Sequence, residues 1–220
     1  MAHLNIKNLS HSFGKTLLLD QVELDCKTGD VIALYGSNGT GKSTLLKTIF
    51  GNLKADCISL TIDGVTIQPN KVIDSKKIAY LPQESFLPKS LIVRELIPLC
   101  LTSLEDQEKV FYAPKVSSFD MEKVGNLSTG QLRYLEILLI ANLDHDFLLL
   151  DEPFSMLEPS MKMIIKEKIH DWSATKGIIL TDHYYEYVMD VAHSNFLLKD
   201  QKLMEVDDVE DLRRLGYLRG

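Results

Sequence analysis

Two hydrophobic periodicities alternate along this chain. Near the start, Leu4 and Ile6, then Val22, Leu24 and Cys26, alternate with polar residues, the period-two pattern of half-exposed strands in an antiparallel sheet. Residues 31–35 (VIALY) break that alternation with an unbroken run of branched and aromatic side chains, which predicts a strand covered on both faces. A glycine-rich loop follows, then a helix over residues 42–50 with Gly51 as its stop. Residues 58–62, the pair Asp63-Gly64 and residues 65–67 read as a short hairpin. Residues 77–81 (KIAYL) read as a second short buried strand, closed by the polar turn Pro82-Gln83-Glu84.

Beyond residue 87 the strand-like runs give way to helical spacing at residues 92–101 and 104–112, with Pro88, Pro98 and Pro114 as punctuation. Ser128 followed by Gln131 has capping-box spacing and opens a helix within residues 127–143 whose later part is apolar all round. An apolar strand at residues 147–150 ends in Asp151-Glu152-Pro153. The helix from Ser160 carries Met161, Ile165, Ile169 and Trp172 on one face, a stripe read as core. A strand at residues 178–181 runs directly into Asp182-His183. Helical spacing returns at Tyr184, Tyr187, Val188 and Val191, then a strand at residues 196–198, and the tail over residues 206–220 reads as a short helix. Repeated strand-then-helix units imply an α/β fold with a mainly parallel sheet core, an N-terminal antiparallel β subdomain and an α-helical subdomain inserted at about residues 87–142 of a single domain spanning residues 1–220.

Composition changes little in that picture. With 45% apolar and 25% charged residues the balance is globular, and a formal net charge of −7 argues against a nonspecific nucleic-acid binder. Cys26, Cys57 and Cys100 are widely spaced with no C-x-x-C, and read as buried or incidental thiols in a reducing compartment. The N-terminal residues lack a basic region followed by an apolar run, so no signal peptide is expected. Apolar stretches such as residues 137–143 are far short of the roughly 20 residues a membrane helix needs. The expectation is a soluble, cytoplasmic protein whose membrane role, if it has one, comes through a partner.

The chemistry concentrates after the strands. Gly36, Gly41, Lys42 and Ser43 match G-x-x-x-x-G-K-[ST] between a predicted strand and a predicted helix. Gly36, Gly39 and Gly41 let successive backbone N–H groups converge on phosphate oxygens, and the helix N-terminus adds its own donors and dipole. Lys42 is placed to reach the β- and γ-phosphates, Ser43 to ligate Mg²⁺, and Thr44 to donate further. Asp151 fits a carboxylate that holds Mg²⁺, directly or through water, and Glu152 a group that orients or deprotonates the attacking water. Gln83 and His183 also follow strands directly; taken singly, a Gln in a loop and a lone His carry little. Phe13, on pattern alone, reads as a core or turn-flanking aromatic.

Together these residues resemble the nucleotide-binding ATPase subunits of ABC transporters over nearly the whole chain. GSNGTGKST (Gly36, Ser37, Asn38, Gly39, Thr40, Gly41, Lys42, Ser43 and Thr44) resembles that family's Walker A loop, LPQ at residues 81–83 its glutamine loop, and LSTGQ at residues 127–131 its signature. FLLLDE resembles Walker B, SMLE at residues 155–158 the D-loop, and TDH at residues 181–183 the switch histidine. YLPQES, residues 133–137, DEPF and TDH look most like the lipopolysaccharide-export and branched-chain amino-acid transport ATPases.

The resemblance implies a P-loop NTPase fold that binds ATP and Mg²⁺, with catalytic roles for Glu152, His183, Gln83 and Lys42 and metal contacts from Ser43, Gln83 and Asp151. It also implies a homodimer or heterodimer that sandwiches ATP between one subunit's Walker A loop and the other's signature (Ser128, Thr129, Gly130, Gln131), with Ser128 and Gly130 on the γ-phosphate. A transmembrane permease would be the further partner, the subunit lying at the inner face of the cell membrane. Phe13 stands where the family places an adenine-stacking aromatic. Three positions depart from the pattern: Thr129 replaces a usual Gly, Glu158 a usual Asp, and Leu139 a frequent Arg. A transport ATPase is the leading expectation. A non-transport ABC ATPase acting as a nucleotide-gated clamp is the alternative, and a phosphotransferase or GTPase using only the phosphate loop leaves the other motifs unexplained.

Overall fold

The alternation at the N-terminus becomes two long antiparallel strands, β1 (His3–Phe13) and β2 (Thr16–Lys27), in a computed structural model that describes residues 1–218. They continue with register shifts between Ile6 and Ser12 into the segment HSFGKTLL and turn within it at Gly14-Lys15, so the hairpin is longer than the apolar positions alone suggested. β3 (Val31–Tyr35) and α1 (Lys42–Phe50) have the predicted bounds. β4 (Cys57–Ile62) and β5 (Val65–Thr66) form the expected hairpin, and Asp63 (φ 53°) and Gly64 (φ 77°) both take the positive φ that a two-residue type I′ turn requires. A short helix, α2 (Val72–Ser75), not read from the sequence, follows and leads to β6 (Ile78–Leu81).

The middle segment is helical as predicted, with α3 (Val93–Cys100) and α4 (Leu104–Phe111). α5 (Thr129–Ala141) opens with a complete capping box: Ser128 Oγ accepts from the Gln131 amide, and Gln131 Oε1 accepts from the Ser128 amide. β7 (Phe147–Asp151), α6 (Pro159–Ser173), β8 (Gly177–Thr181), α7 (Tyr185–Met189) and β9 (Ser194–Lys199) complete the alternation. β10 (Lys202–Val206) was not expected; it pairs antiparallel with β9 at the sheet edge, where a tail of mixed charge needs only one face covered. The helix expected in the tail is α8 (Val209–Arg214); residues 219–220 of that expectation lie outside the described residues.

Two sheets result. One is four-stranded, in the order β2-β1-β4-β5; the other is six-stranded, in the order β10-β9-β3-β8-β7-β6, and parallel except at β10. The alternate residues of β3 separate two cores. Ile32 and Leu34 pack with Leu45, Leu46 and Ile49 of α1 and with Leu4, Ile6 and Leu9 of the antiparallel sheet. Val31, Ala33 and Tyr35 face the other way, toward Leu135 and Leu138 of α5, Ile165 and Ile169 of α6, and the middle helices. Helices or strands therefore cover both faces of β3, which is why its sequence reads as a continuous apolar run.

The stripe Met161, Ile165, Ile169 and Trp172 is buried, as predicted. No helix among the described residues is long and apolar enough to cross a membrane. Of the three cysteines, Cys26 is buried, Cys57 exposed and Cys100 between the two, all with free thiols.

Candidate functional site

The order β3-β8-β7-β6 places four strand ends side by side, and the segment following each belongs to the predicted site. Parallel sheets bind ligands beyond their carboxyl ends. Here residues 36–43 follow β3, Asp182-His183 follow β8, Glu152 follows β7 and Gln83 follows β6. They meet around a cavity of about 650 Å³ lined by Asn38, Gly39 and Gly41 of the loop, Lys42, Ser43 and Thr44 at the start of α1, and Gln83, Glu152 and His183, together with Phe13 and Leu18.

The loop needs its first glycine for space. A Cβ on Gly36 would stand 2.7 Å from Thr40 Oγ1 and 2.8 Å from the Leu198 carbonyl oxygen. Thr40 is held by donating to the Ser37 carbonyl at 2.9 Å. Lys42, only 7% exposed, donates to the Gly36 carbonyl at 2.5 Å and the Ser37 carbonyl at 3.3 Å, so its ammonium lies within the loop's own curve. Burial lowers the Lys42 pKa, with Glu152, Asp151 and Asp182 opposing that shift through their charge.

Asp151 is fully buried and doubly held: Ser43 Oγ donates to Oδ1 at 3.0 Å and the Tyr80 hydroxyl to Oδ2 at 3.1 Å. Burial raises its carboxyl pKa against the pull of those two hydrogen bonds. Glu152 takes a left-handed backbone conformation (φ 54°) with its amide on the Thr181 carbonyl, and its side chain turns toward the cavity. Gln83 Nε2 donates to Glu152 Oε1 at 2.7 Å, His183 Nε2 lies 2.9 Å from the same oxygen, and Ser155 Oγ donates to Oε2 at 3.2 Å. A carboxylate held at both oxygens beside a loop of backbone amides and a buried lysine is suited to positioning a small polar reactant against an anionic one.

Several residues that shape the site were given no role in it by the sequence reading. Arg133 on α5 is 6% exposed; NH1 donates to the Pro82 carbonyl at 2.6 Å, and NH2 to the carbonyls of Asp151 at 2.5 Å and Glu152 at 3.2 Å. Its neighbour Glu136, 3.7 Å away, accepts from Ser85 Oγ at 2.6 Å and from the Phe86 amide at 3.2 Å. One helix thereby ties the segments after β6 and β7 together. Asp182, also fully buried, caps the Phe154 amide at 2.7 Å and the Tyr184 amide at 3.0 Å, its carboxyl raised by burial against those bonds. The available signals were a tyrosine hydroxyl in the apolar strand KIAYL and two charges three residues apart in an otherwise apolar helix.

Phe13 is 58% exposed with its ring edge-on to His11 at 4.8 Å, so it is not the core aromatic its sequence pattern suggested. The segment Ser128, Thr129, Gly130 and Gln131 does not line the cavity. Ser128 and Thr129 are exposed, and only Gly130 is buried against the D-loop of its own chain, where an added Cβ would stand 3.0 Å from the Met156 carbonyl oxygen. Glu158 faces Lys115 of the same chain at 3.5 Å.

A strand, a glycine loop and a helix bearing Lys42 and Ser43, at the carboxyl edge of a parallel sheet with Asp151 on the second strand over, define a P-loop NTPase fold. Solved structures agree: one described as the ATP binding subunit of an ABC transporter superposes with a TM-score of 0.83 at 24% identity, covering 99% of this chain and 94% of that one. A nucleotide-free ATP-binding cassette from an ABC transporter superposes at 0.81 and 22% identity, covering 100% and 96%. The ABC transporter family model matches residues 19–155, and the chain belongs to that family. Among similar curated proteins are the lipopolysaccharide export system ATP-binding protein LptB of Haemophilus influenzae, 26% identical over 96% of this chain and 93% of the relative. The probable siderophore transport system ATP-binding protein YusV of Bacillus subtilis is 28% identical over 92% of this chain and 79% of the relative.

Proposed function

We propose that this chain is the ATP-binding and hydrolysing subunit of an ABC transporter, driving a separate transmembrane permease from the cytoplasmic face of the membrane. The observation that carries the reading is the meeting of Lys42, Ser43, Gln83, Glu152 and His183 around one cavity, with Asp151 bonded to Ser43 behind it. Residues 36–44 would cradle the phosphates of ATP, Lys42 exchanging its loop carbonyls for β- and γ-phosphate oxygens, and Phe13 would stack on the adenine. Mg²⁺ fits the site because Ser43 and Asp151 present hard oxygen donors within 3.0 Å of each other; bound there, it would neutralise phosphate charge. Gln83 is a further candidate for its coordination.

Glu152 would orient the attacking water and accept its proton as the new P–O bond forms and the bond between γ-phosphorus and the bridging oxygen breaks. His183 would donate to a γ-phosphate oxygen. Ser128, Thr129, Gly130 and Gln131 lie outside the cavity, which suits a site completed by the signature of a second ATPase subunit. ATP binding would close the two subunits, and hydrolysis would reopen them. The test is phosphate release from Mg·ATP by the purified protein, with and without EDTA. Magnesium-dependent release supports the reading, and failure to bind ATP at all removes it.

A further inference from the structure

Lys162, on the first turns of α6, is 6% exposed; its amide donates to the Glu158 carbonyl at 3.0 Å, but among the described residues its ammonium forms neither an ion pair nor a hydrogen bond. Its Nζ stands 3.0 Å from the centroid of the Tyr184 ring and 5.5 Å from that of Tyr187. Lys166, one turn further along the same helix, pairs conventionally with Asp190 at 2.6 Å. A buried ammonium needs compensation, and here two aromatic faces supply it. Tyr184 directly follows His183, and its amide is fixed on Asp182 Oδ1 at 3.0 Å. The other Asp182 oxygen holds the Phe154 amide at 2.7 Å. The segment carrying His183 is thus gripped at its backbone by Asp182 and at its side by a cation on α6.

We infer that Lys162 is a positioning residue for His183: its contact with the Tyr184 ring holds the imidazole 2.9 Å from Glu152, so that the segment carrying His183 moves with α6 and residues 152–158. The inference rests on the ATPase reading and adds a contact between α6 and Tyr184, the residue after the histidine, that the motifs themselves do not contain. Lys162→Met removes the charge while keeping most of the side-chain bulk, whereas Lys162→Arg keeps a cation that stacks on aromatic rings. Tyr184→Phe keeps the ring face, and Tyr184→Leu removes it.

The experiment compares these variants in ATP turnover and in hydrogen exchange of the peptide spanning residues 182–189. Lys162→Met and Tyr184→Leu should each lower kcat about tenfold with KM for ATP within about twofold, a drop of about 1.4 kcal/mol in transition-state stabilisation. The double variant should be no worse than either single one, because both remove the same contact. Lys162→Arg and Tyr184→Phe should restore most of the turnover. Exchange in residues 182–189 should quicken about tenfold in Lys162→Met, with or without nucleotide.

Multiplicative losses in the double variant, a rise in KM at constant kcat, or unchanged exchange would each overturn the inference. If the wild type turns over and Lys162→Met matches it, this inference alone fails. If the wild type binds no ATP, the ATPase reading fails with it.

Discussion

Replacing Arg133 with Met should destabilise the fold and uncouple the two segments that carry Gln83 and Glu152. The guanidinium is 6% exposed and bonds three carbonyl oxygens, those of Pro82, Asp151 and Glu152, with Glu136 3.7 Å away. Each hydrogen bond from a charged donor contributes about 1.5–3 kcal/mol net, but three bonds from one guanidinium are not additive, so the sum overstates the loss. Glu136, 1% exposed, recovers less, although Ser85 and Phe86 still donate to it. Removing one partner of a buried pair costs about 3–5 kcal/mol, and we expect Arg133→Met to fall there.

In a chain of this size that loss lowers Tm by about 6–20 °C. Urea unfolding followed through Trp172, the single tryptophan and 9% exposed, measures it as a shift in midpoint at constant slope. Arg133→Met combined with Glu136→Leu should lose less than the two single changes added together, since the orphaned charge is gone. A loss below about 1 kcal/mol for Arg133→Met, or strict additivity in the pair, would refute the argument.

Two further outcomes follow from the site. Stacking on an aromatic ring is worth about 1–3 kcal/mol per base, so Phe13→Ala should weaken ATP binding about 5- to 150-fold while leaving Tm unchanged, its ring being 58% exposed; titration with a fluorescent ATP analogue reads this, and unchanged affinity would remove Phe13 from the site. Burial raises the Asp151 carboxyl above 3.8, so as pH falls from neutral toward that raised value the folded state increasingly favours the protonated carboxyl, and ionisation above it works against stability. On the proposed role of Asp151 in holding Mg²⁺, metal uptake needs the carboxylate and should release a growing fraction of a proton as pH falls through that window. Calorimetry in buffers of different ionisation heat measures it, and proton release that does not change with pH would contradict the Asp151 assignment.

The sequence made legible what local chemistry dictates. The unbroken apolar run of β3, the Asp63-Gly64 turn, the capping box of Ser128 and Gln131, and the strand-loop-helix around Lys42 all follow from neighbours a few positions apart. What stayed hidden are residues whose partners are remote: Tyr80 bonds a carboxylate 71 positions away, and Arg133 a carbonyl 51 positions away. No periodicity encodes those distances, because they depend on strand order, with β8 inserted between β3 and β7. Phe13 shows the converse, an aromatic that pattern assigns to the core and that strand register leaves lining the cavity. β10 escaped because an edge strand beside a single neighbour needs little hydrophobic patterning.

The most direct measurement is Mg·ATP hydrolysis by the wild type beside Glu152→Gln, with gel filtration of both in ATP. The side chain at 152 keeps its size, so binding should survive while the proton acceptor is lost. Wild type should turn over ATP, and Glu152→Gln should lose activity and accumulate as an ATP-bound dimer. Glu152→Gln hydrolysing at the wild-type rate, or binding ATP and remaining a monomer while the wild type turns over, would contradict the sandwich mechanism and the role given to Glu152.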